Sequence, residues 1–242
     1  MTTLENLLKI TRLGLKNNQQ AKEYLKSRGI NKESINTWKI GYLESLEDLR
    51  VLDKEDLKAH GLLIETKSGK YYSPLVGYIT FPLFNQYDKL IGFSGRPPLE
   101  NSIVKEKGLR KYWHTKIDKR NFLFGLNLAK REIQKVDEVI VVEGQFDSIT
   151  AVQYGIKNIV STQGTALTEN QVILLERYAK KAYVLFDTDE AGTKAIEQLA
   201  KYTSRQVELI PRFLPDETVK QDPDSYIKQY GKEAFLRIIQ GE

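Results

Sequence analysis

Six carboxylates in the C-terminal half of this sequence have types and spacings that suit a divalent cation. Glu143 and Asp147 form Glu-Gly-x-x-Asp, Asp187 and Asp189 form Asp-x-Asp ahead of Glu190-Ala191-Gly192, and Asp222 and Asp224 form Asp-Pro-Asp. A lone Asp-x-Asp in a loop is ordinarily a turn or a helix cap. Five or six bare carboxylates gathered within a few ångströms are different, because they repel strongly at reduced dielectric and need protons or cations between them. At neutral pH an all-oxygen ligand set selects Mg²⁺ or Mn²⁺, two or more ions here, and such ions also bind substrate phosphates. The chemistry expected is metal-assisted phosphoryl transfer. The chain has no Cys and only His60 and His114. That excludes disulfides, thiolate zinc sites and Cys nucleophiles, leaves no zinc to expect, and gives a catalytic triad no support.

These acids gather only if the fold brings them together, and the pattern of elements does so. Glu138–Val142 (EVIVV) reads as a continuous apolar strand with Glu143-Gly144 directly after it. Phe146–Tyr154 reads as a helix closed by Gly155, and Asn158–Ser161 as a strand. Thr168-x-x-Gln171 is a capping-box pattern opening a helix to about Lys180. Ala182–Phe186 (AYVLF) is a further apolar strand, followed by Asp187. Ala191–Tyr202 reads as helix, Gln206–Ile210 as a fourth strand, and Asp224–Gln240 as helix, break at Gly231, helix. This alternation implies a parallel sheet of roughly four strands with helices on both faces. Ligands of such sheets bind at the carboxyl ends of the strands, where the acids fall.

The first half reads differently. Residues 19–28 form a helix stopped by Gly29, Asn31 caps a second to about Trp38, and Asp53 caps a third ending near His60-Gly61. LLIE, KSGKYY, GYITFPLF and KLIGFSG follow as strands joined by hairpin-like turns. The expectation is an α+β N-terminal subdomain over residues 1–135 and an α/β domain over 136–242. Charge divides the same way. Residues 1–135 hold 25 Lys+Arg and 15 Asp+Glu, and residues 136–242 hold 12 and 17, so +10 and −5 give the overall +5. The basic half is densest from Lys105 to Arg120, where Tyr112, Trp113 and His114 interrupt the cations. That stretch suits either a solvated loop or a nucleic-acid track, with cations for phosphates and aromatic rings for bases.

The motifs resemble a known family. VIVVEGQFDSITAVQYGI, VSTQGTALTENQVILL, VLFDTDEAGTKAI and LPDETVKQDPDSYI look like the TOPRIM fold, and more specifically like the RNA polymerase core of bacterial DnaG-type primases. YLKSRGINKESINTWKIGY, ITFPLFNQYDKLIGFSGR, RKYWHT and FLFGLNLAK extend the resemblance from about residue 20 to 240. The resemblance implies RNA primer synthesis in DNA replication. Glu143, Asp187 and Asp189 would be catalytic, and Glu143, Asp147, Asp187, Asp189, Asp222 and Asp224 would hold metal. Arg28, Arg96, Lys111 and Lys119 match basic positions placed near template or nucleotide phosphates, with Trp113 or Tyr112 available for stacking.

Partners implied are single-stranded DNA template, the RNA:DNA hybrid, NTPs, and a replicative helicase or a separate template-selecting protein. The family's Cys/His zinc module has no counterpart in a chain without Cys, its Arg before the FPL strand is Tyr78 here, and its KYLNS is KYWHT. These departures leave a small stand-alone primase or a core cut from a longer chain as expectations. The alternatives are a TOPRIM nuclease, in which the same acids activate water, and a non-catalytic nucleic-acid-binding replication accessory. No apolar run approaches the ~18 residues of a membrane span and Met1–Leu15 lacks a signal-peptide core, so no membrane and a cytoplasmic location are expected.

Overall fold

The computed structural model describes residues 1–164, 167–186, 202, 206–215 and 222–242. Contacts divide the chain into two compact units, residues 1–84 with 89–117, and residues 85–88 with 118–242. The boundary anticipated at 135/136 falls within the second of these, at the end of a helix. Among the described residues no helix is long and apolar enough to cross a membrane.

The first unit opens with a helix the sequence reading omitted, α1 (Thr3–Asn17). Its start is fixed locally: the Thr2 hydroxyl accepts from Glu5 N–H while the Glu5 carboxylate accepts from Thr2 N–H, a reciprocal cap. Leu4, Leu7 and Leu15 recur on its buried face. Helices α2 (Gln19–Ser27), α3 (Lys32–Thr37) and α4 (Lys54–Ala59) begin where Asn18, Asn31 and Asp53 accept backbone N–H groups, and the last two are the caps expected.

Strands β1 (Gly41–Leu43), β4 (Tyr78–Phe84), β5 (Leu90–Arg96) and β6 (Trp113–His114) form an antiparallel sheet in the order β1-β4-β5-β6. The LLIE and KSGKYY stretches yield only two-residue strands, β2 (Ile64–Glu65) and β3 (Tyr71–Tyr72), paired with each other. Helix α1 lies close on β1, because a Cβ at Gly14 would stand 2.3 Å from the Tyr42 carbonyl oxygen. Leu7, Leu43, Leu57, Leu62, Leu75 and Phe93 centre the core. Between β5 and β6 lies a short helix, α5 (Asn101–Glu106).

The second unit is a parallel sheet between two layers of helices. Its strands β7 (Glu138–Val142), β8 (Ile159–Ser161), β9 (Lys181–Phe186) and β10 (Glu208–Phe213) lie in the order β10-β9-β7-β8, all parallel. Alternate strand residues point to opposite faces. Val139, Val141, Val160, Ala182 and Val184 meet helices α6 (Leu126–Val136) and α8 (Glu169–Leu175). Ile140, Val142, Ile159 and Leu185 meet α7 (Gln145–Gln153) and α9 (Pro223–Gln240).

Leu126, Ala129 and Ile133 of α6 are buried in the first of these cores, worth roughly 1.5–3 kcal/mol for each large side chain, so residues before 136 belong with the parallel sheet. Phe124 makes an antiparallel bridge to Ser161 on the outer side of β8, with reciprocal N–H···O bonds of 2.9 and 3.0 Å. The hairpin tip 85–88 also joins this unit: Lys130 Nζ donates to the Gln86 carbonyl at 2.8 Å and pairs with Asp88 at 2.7 Å. Helix α8 carries the expected Thr168–Gln171 capping box but ends at Leu175. Helix α9 breaks at Gly231, as read. The helix expected over 191–202 lies outside the described residues, apart from Tyr202.

Candidate functional site

Strands β8 and β9 flank β7 on opposite sides, so the chain order reverses at β7. Ligands of open parallel sheets bind at such a reversal, beyond the carboxyl ends of the strands. Strand β7 ends at Val142, and Glu143 follows it with an exposed side chain. The Glu143 carbonyl oxygen accepts from Gly164 N–H at 2.9 Å and the Val142 carbonyl oxygen from Thr162 N–H at 3.0 Å, which ties this turn to the one after β8. Strand β9 ends at Phe186, the residue before Asp187. Asp187 and Asp189 lie outside the described residues.

Asp147 is buried and both of its oxygens are engaged. Oδ2 accepts from Gly144 N–H at 2.8 Å, capping α7, and Oδ1 accepts from Asp224 N–H at 3.1 Å, at the start of α9. The Glu-Gly-x-x-Asp spacing is therefore also a helix cap. Glycine is required inside it, because a Cβ at Gly144 would stand 2.6 Å from Asp147 Oδ2. Asp224 is buried as well; its Oδ1 accepts from Thr150 Oγ1 at 2.5 Å and pairs with Lys228 Nζ at 2.5 Å. Asp222 is exposed and caps α9, accepting from Ser225 N–H at 2.8 Å and Ser225 Oγ at 2.6 Å. Lost hydration pushes the Asp147 carboxyl up to about 8, and the charges of Asp222 and Asp224 add to this against the opposing pull of the two N–H donors.

The structure thus brings Asp147, Asp222 and Asp224 together around the start of α9, and sets Glu143 at the mouth of β7. Among the described residues, no three carboxylate or imidazole side chains converge on one point in the way a metal requires. The donor chemistry nevertheless fits a hard cation. Every candidate ligand is a carboxylate, Glu143 and Asp222 are exposed, and the negative charge that adds to the effect of burial on Asp147 is relieved by positive charge. Glu143 and Asp222, with Asp187 and Asp189, are the residues that would hold it.

Sequence reasoning passed over several neighbours. Thr150 and Lys228 anchor Asp224, and no local pattern marks them. Gln163 directly follows the turn residue Thr162. It is buried, its backbone sits in the left-handed region at φ 65°, and both amide atoms lack a hydrogen-bond partner among the described residues. The Gln-Gly pair in STQGTAL was its only signal.

The basic set is distributed over both units. In the first, Arg28 is half-buried at the end of α2, Lys111 is exposed, and Trp113 packs against the leucine core beside β5. Arg96 is only 2% exposed. Its Nε donates to Tyr24 Oη at 2.6 Å, its Nη2 donates to Asn101 Oδ1 at 2.7 Å, and its guanidinium stands 5.2 Å from the centroid of the Tyr112 ring. In the second unit Lys119 sits in a 3₁₀ turn (Lys119–Asn121) whose carbonyls are held by Gln171 Nε2.

Residues 9–130 match the family described as DNA primase catalytic core, N-terminal domain, and residues 140–227 match the family described as Toprim-like. The DNA primase of Aquifex aeolicus is 38% identical over 248 residues, which covers 98% of this chain and 48% of that protein. The DNA primase of Clostridium acetobutylicum is 36% identical over 243 residues, covering 93% and 38%. The chain thus spans about half or less of the length of the curated relatives it matches.

The crystal structure of the Aquifex aeolicus primase zinc-binding and RNA polymerase domains superposes with a TM-score of 0.87 at 34% identity, over 99% of this chain and 60% of that one. The DnaG primase catalytic domain bound to ssDNA gives 0.86 at 26% identity, over 99% and 79%. Both the antiparallel unit and the parallel sheet fall within the matched residues, and the chain belongs to the family of DnaG-type DNA primase catalytic cores.

Proposed function

We propose that this chain synthesises RNA primers on single-stranded DNA by metal-assisted nucleotidyl transfer. The observation that carries the reading is Glu143 at the reversal point of a four-stranded parallel sheet, one strand away from the position that Asp187 follows. The parallel-sheet unit would hold the metal, and the antiparallel unit grips template and the RNA:DNA hybrid through Arg28, Lys111 and the aromatic stretch around Trp113. A bound Mg²⁺ or Mn²⁺ supplies charge neutralisation at the nucleotide phosphates and lowers the pKa of the primer 3′-hydroxyl.

The chain's own residues divide the labour by exposure. Glu143 and Asp222 face solvent and reach outward. Asp147 fixes the starts of α7 and α9, which carry the turns that present those two acids. Arg96 also stiffens the end of β5 beside Tyr112, where its Nε and one Nη2 N–H are bonded to Tyr24 and Asn101. NTPs and single-stranded DNA are the substrates, and a helicase or a template-selecting protein is a partner in replication.

The test is primer synthesis on single-stranded DNA with NTPs and Mg²⁺ or Mn²⁺. Glu143→Gln, Asp187→Asn and Asp189→Asn are each expected to lower product by about 10²-fold or more. Equal product from the wild type and all three variants would overturn the proposal.

A further inference from the structure

A cavity of about 700 Å³ opens in the first unit, and none of the residues assigned above lines it. That volume lies in the range of roughly 300–1,000 Å³ typical of ligand sites. Its apolar lining comes from Leu49, Leu57 and Leu63, which are buried, and from Leu46, Leu52 and Tyr71, which are partly exposed. Arg50, Lys54 and Lys70 complete the lining, each from a different element: the end of the 3₁₀ turn Glu47–Leu49, the first turn of α4, and the β2–β3 hairpin.

Three cations and no carboxylate line this cavity. Glu47 pairs with Arg50 at 2.7 Å, Glu55 with Lys58 at 3.0 Å, and Glu65 accepts the Tyr71 hydroxyl at 2.6 Å with Lys58 at 3.6 Å. Asp53 caps α4. Lys54 and Lys70 have no carboxylate within ion-pair distance among the described residues. Lys54 Nζ lies instead 4.0 Å from the centroid of the Tyr71 ring. The Arg50 pair is open to solvent on both sides, so it is weak and exchangeable.

We infer that this cavity is a docking site for a partner protein's acidic segment carrying leucine- or phenylalanine-like anchors. The apolar floor takes the anchors, and the separated cations take carboxylates on either side of them. Nucleic acid fits poorly, since the one aromatic face in the lining is already covered by Lys54 and, at 5.4 Å, approached by Lys58. A single-headed lipid anion would meet one of three cations drawn from three elements and leave the others unanswered.

The probe is a fluorescein-labelled nonapeptide, Glu-Asp-Leu-Glu-Asp-Phe-Glu-Asp-Leu, titrated with the whole chain and read by anisotropy. Saturable binding is expected that weakens in 0.5 M salt, as exposed charge pairs do. Combined Lys54→Glu and Lys70→Glu, both at exposed positions, should weaken it by at least about tenfold with an unchanged melting temperature. Replacing the Leu and Phe of the peptide by Ser should abolish it. Absence of saturable binding, equal binding by the reversed variant, or equal binding of the Ser peptide would each overturn the inference. So would oleate binding that the reversal leaves intact and that displaces the peptide, or weakened oligonucleotide binding by the variant with peptide binding unchanged.

Discussion

Each unit buries a charged side chain, and the two are accommodated in opposite ways. Arg96 in the antiparallel unit is met by a hydroxyl, an amide oxygen and an aromatic ring. Asp147 in the parallel unit is met by two N–H donors, but Asp222 and Asp224 add negative charge beside it. A buried cation among such acceptors is at rest as it stands. A buried carboxyl beside other carboxylates is at rest only with a proton or a cation. The first arrangement is stable as it stands, and the second is one to which added positive charge gives stability.

The contrast can be broken by measurement, with the largest effect in the parallel unit. Folding raises the Asp147 carboxyl from about 3.9, the ordinary value for Asp, to about 8, so the folded state binds the proton more tightly. The stability this supplies is full below the ordinary value and is lost as pH rises through about 8. Urea unfolding in EDTA should therefore show stability falling between pH 5 and 8, by on the order of 4 kcal/mol. Asp147→Asn should flatten that slope, and Mg²⁺ should restore more stability at pH 8 than at pH 5. A flat wild-type profile would remove the distinction between the two units.

Arg96→Ala comes next, with a loss of about 3 kcal/mol from two charge-assisted hydrogen bonds and no slope of its own over the same pH range. A loss confined to oligonucleotide binding, with stability intact, would instead make Arg96 a phosphate contact. The smallest effect is a gain. Gln163→Leu removes a buried amide that has no partner among the described residues and should stabilise by about 1 kcal/mol in the same unfolding assay.

Signals carried within a few residues were legible in the sequence. The apolar run EVIVV, the caps Asn31 and Asp53, the Thr168–Gln171 box and the Gly231 break all appear where they were read. Helix α1 was missed although Thr2 and Glu5 spell its cap, because the amino-terminal stretch was weighed only as a targeting segment. Partners set by folding were beyond local pattern. Arg96 finds Tyr24 from 72 positions away, and Asp224 finds Thr150 from 74.

The Glu-Gly-x-x-Asp motif shows how one spelling carries two meanings. Its spacing suits metal chemistry, and in the structure each Asp147 oxygen also accepts one backbone N–H. The burial of Asp147 is a property of the sheet and both helix layers together, so no local spacing carries it.

The Phe124–Ser161 bridge has a consequence for how the protein behaves in a crowded solution. An open sheet exposes two rows of unpaired N–H and C=O groups, and each is a template on which another chain can grow a strand. The bridge occupies the outer row of β8, a strand only three residues long. At the other margin, β10 carries Pro211, which has no N–H to offer, followed by Arg212. Among the described residues, each margin of the four-stranded sheet is thus a poorer template for edge-to-edge pairing, one through a backbone patch and the other through a missing donor. A substitution that frees either margin should appear first as loss of soluble protein, with the folded monomer still intact.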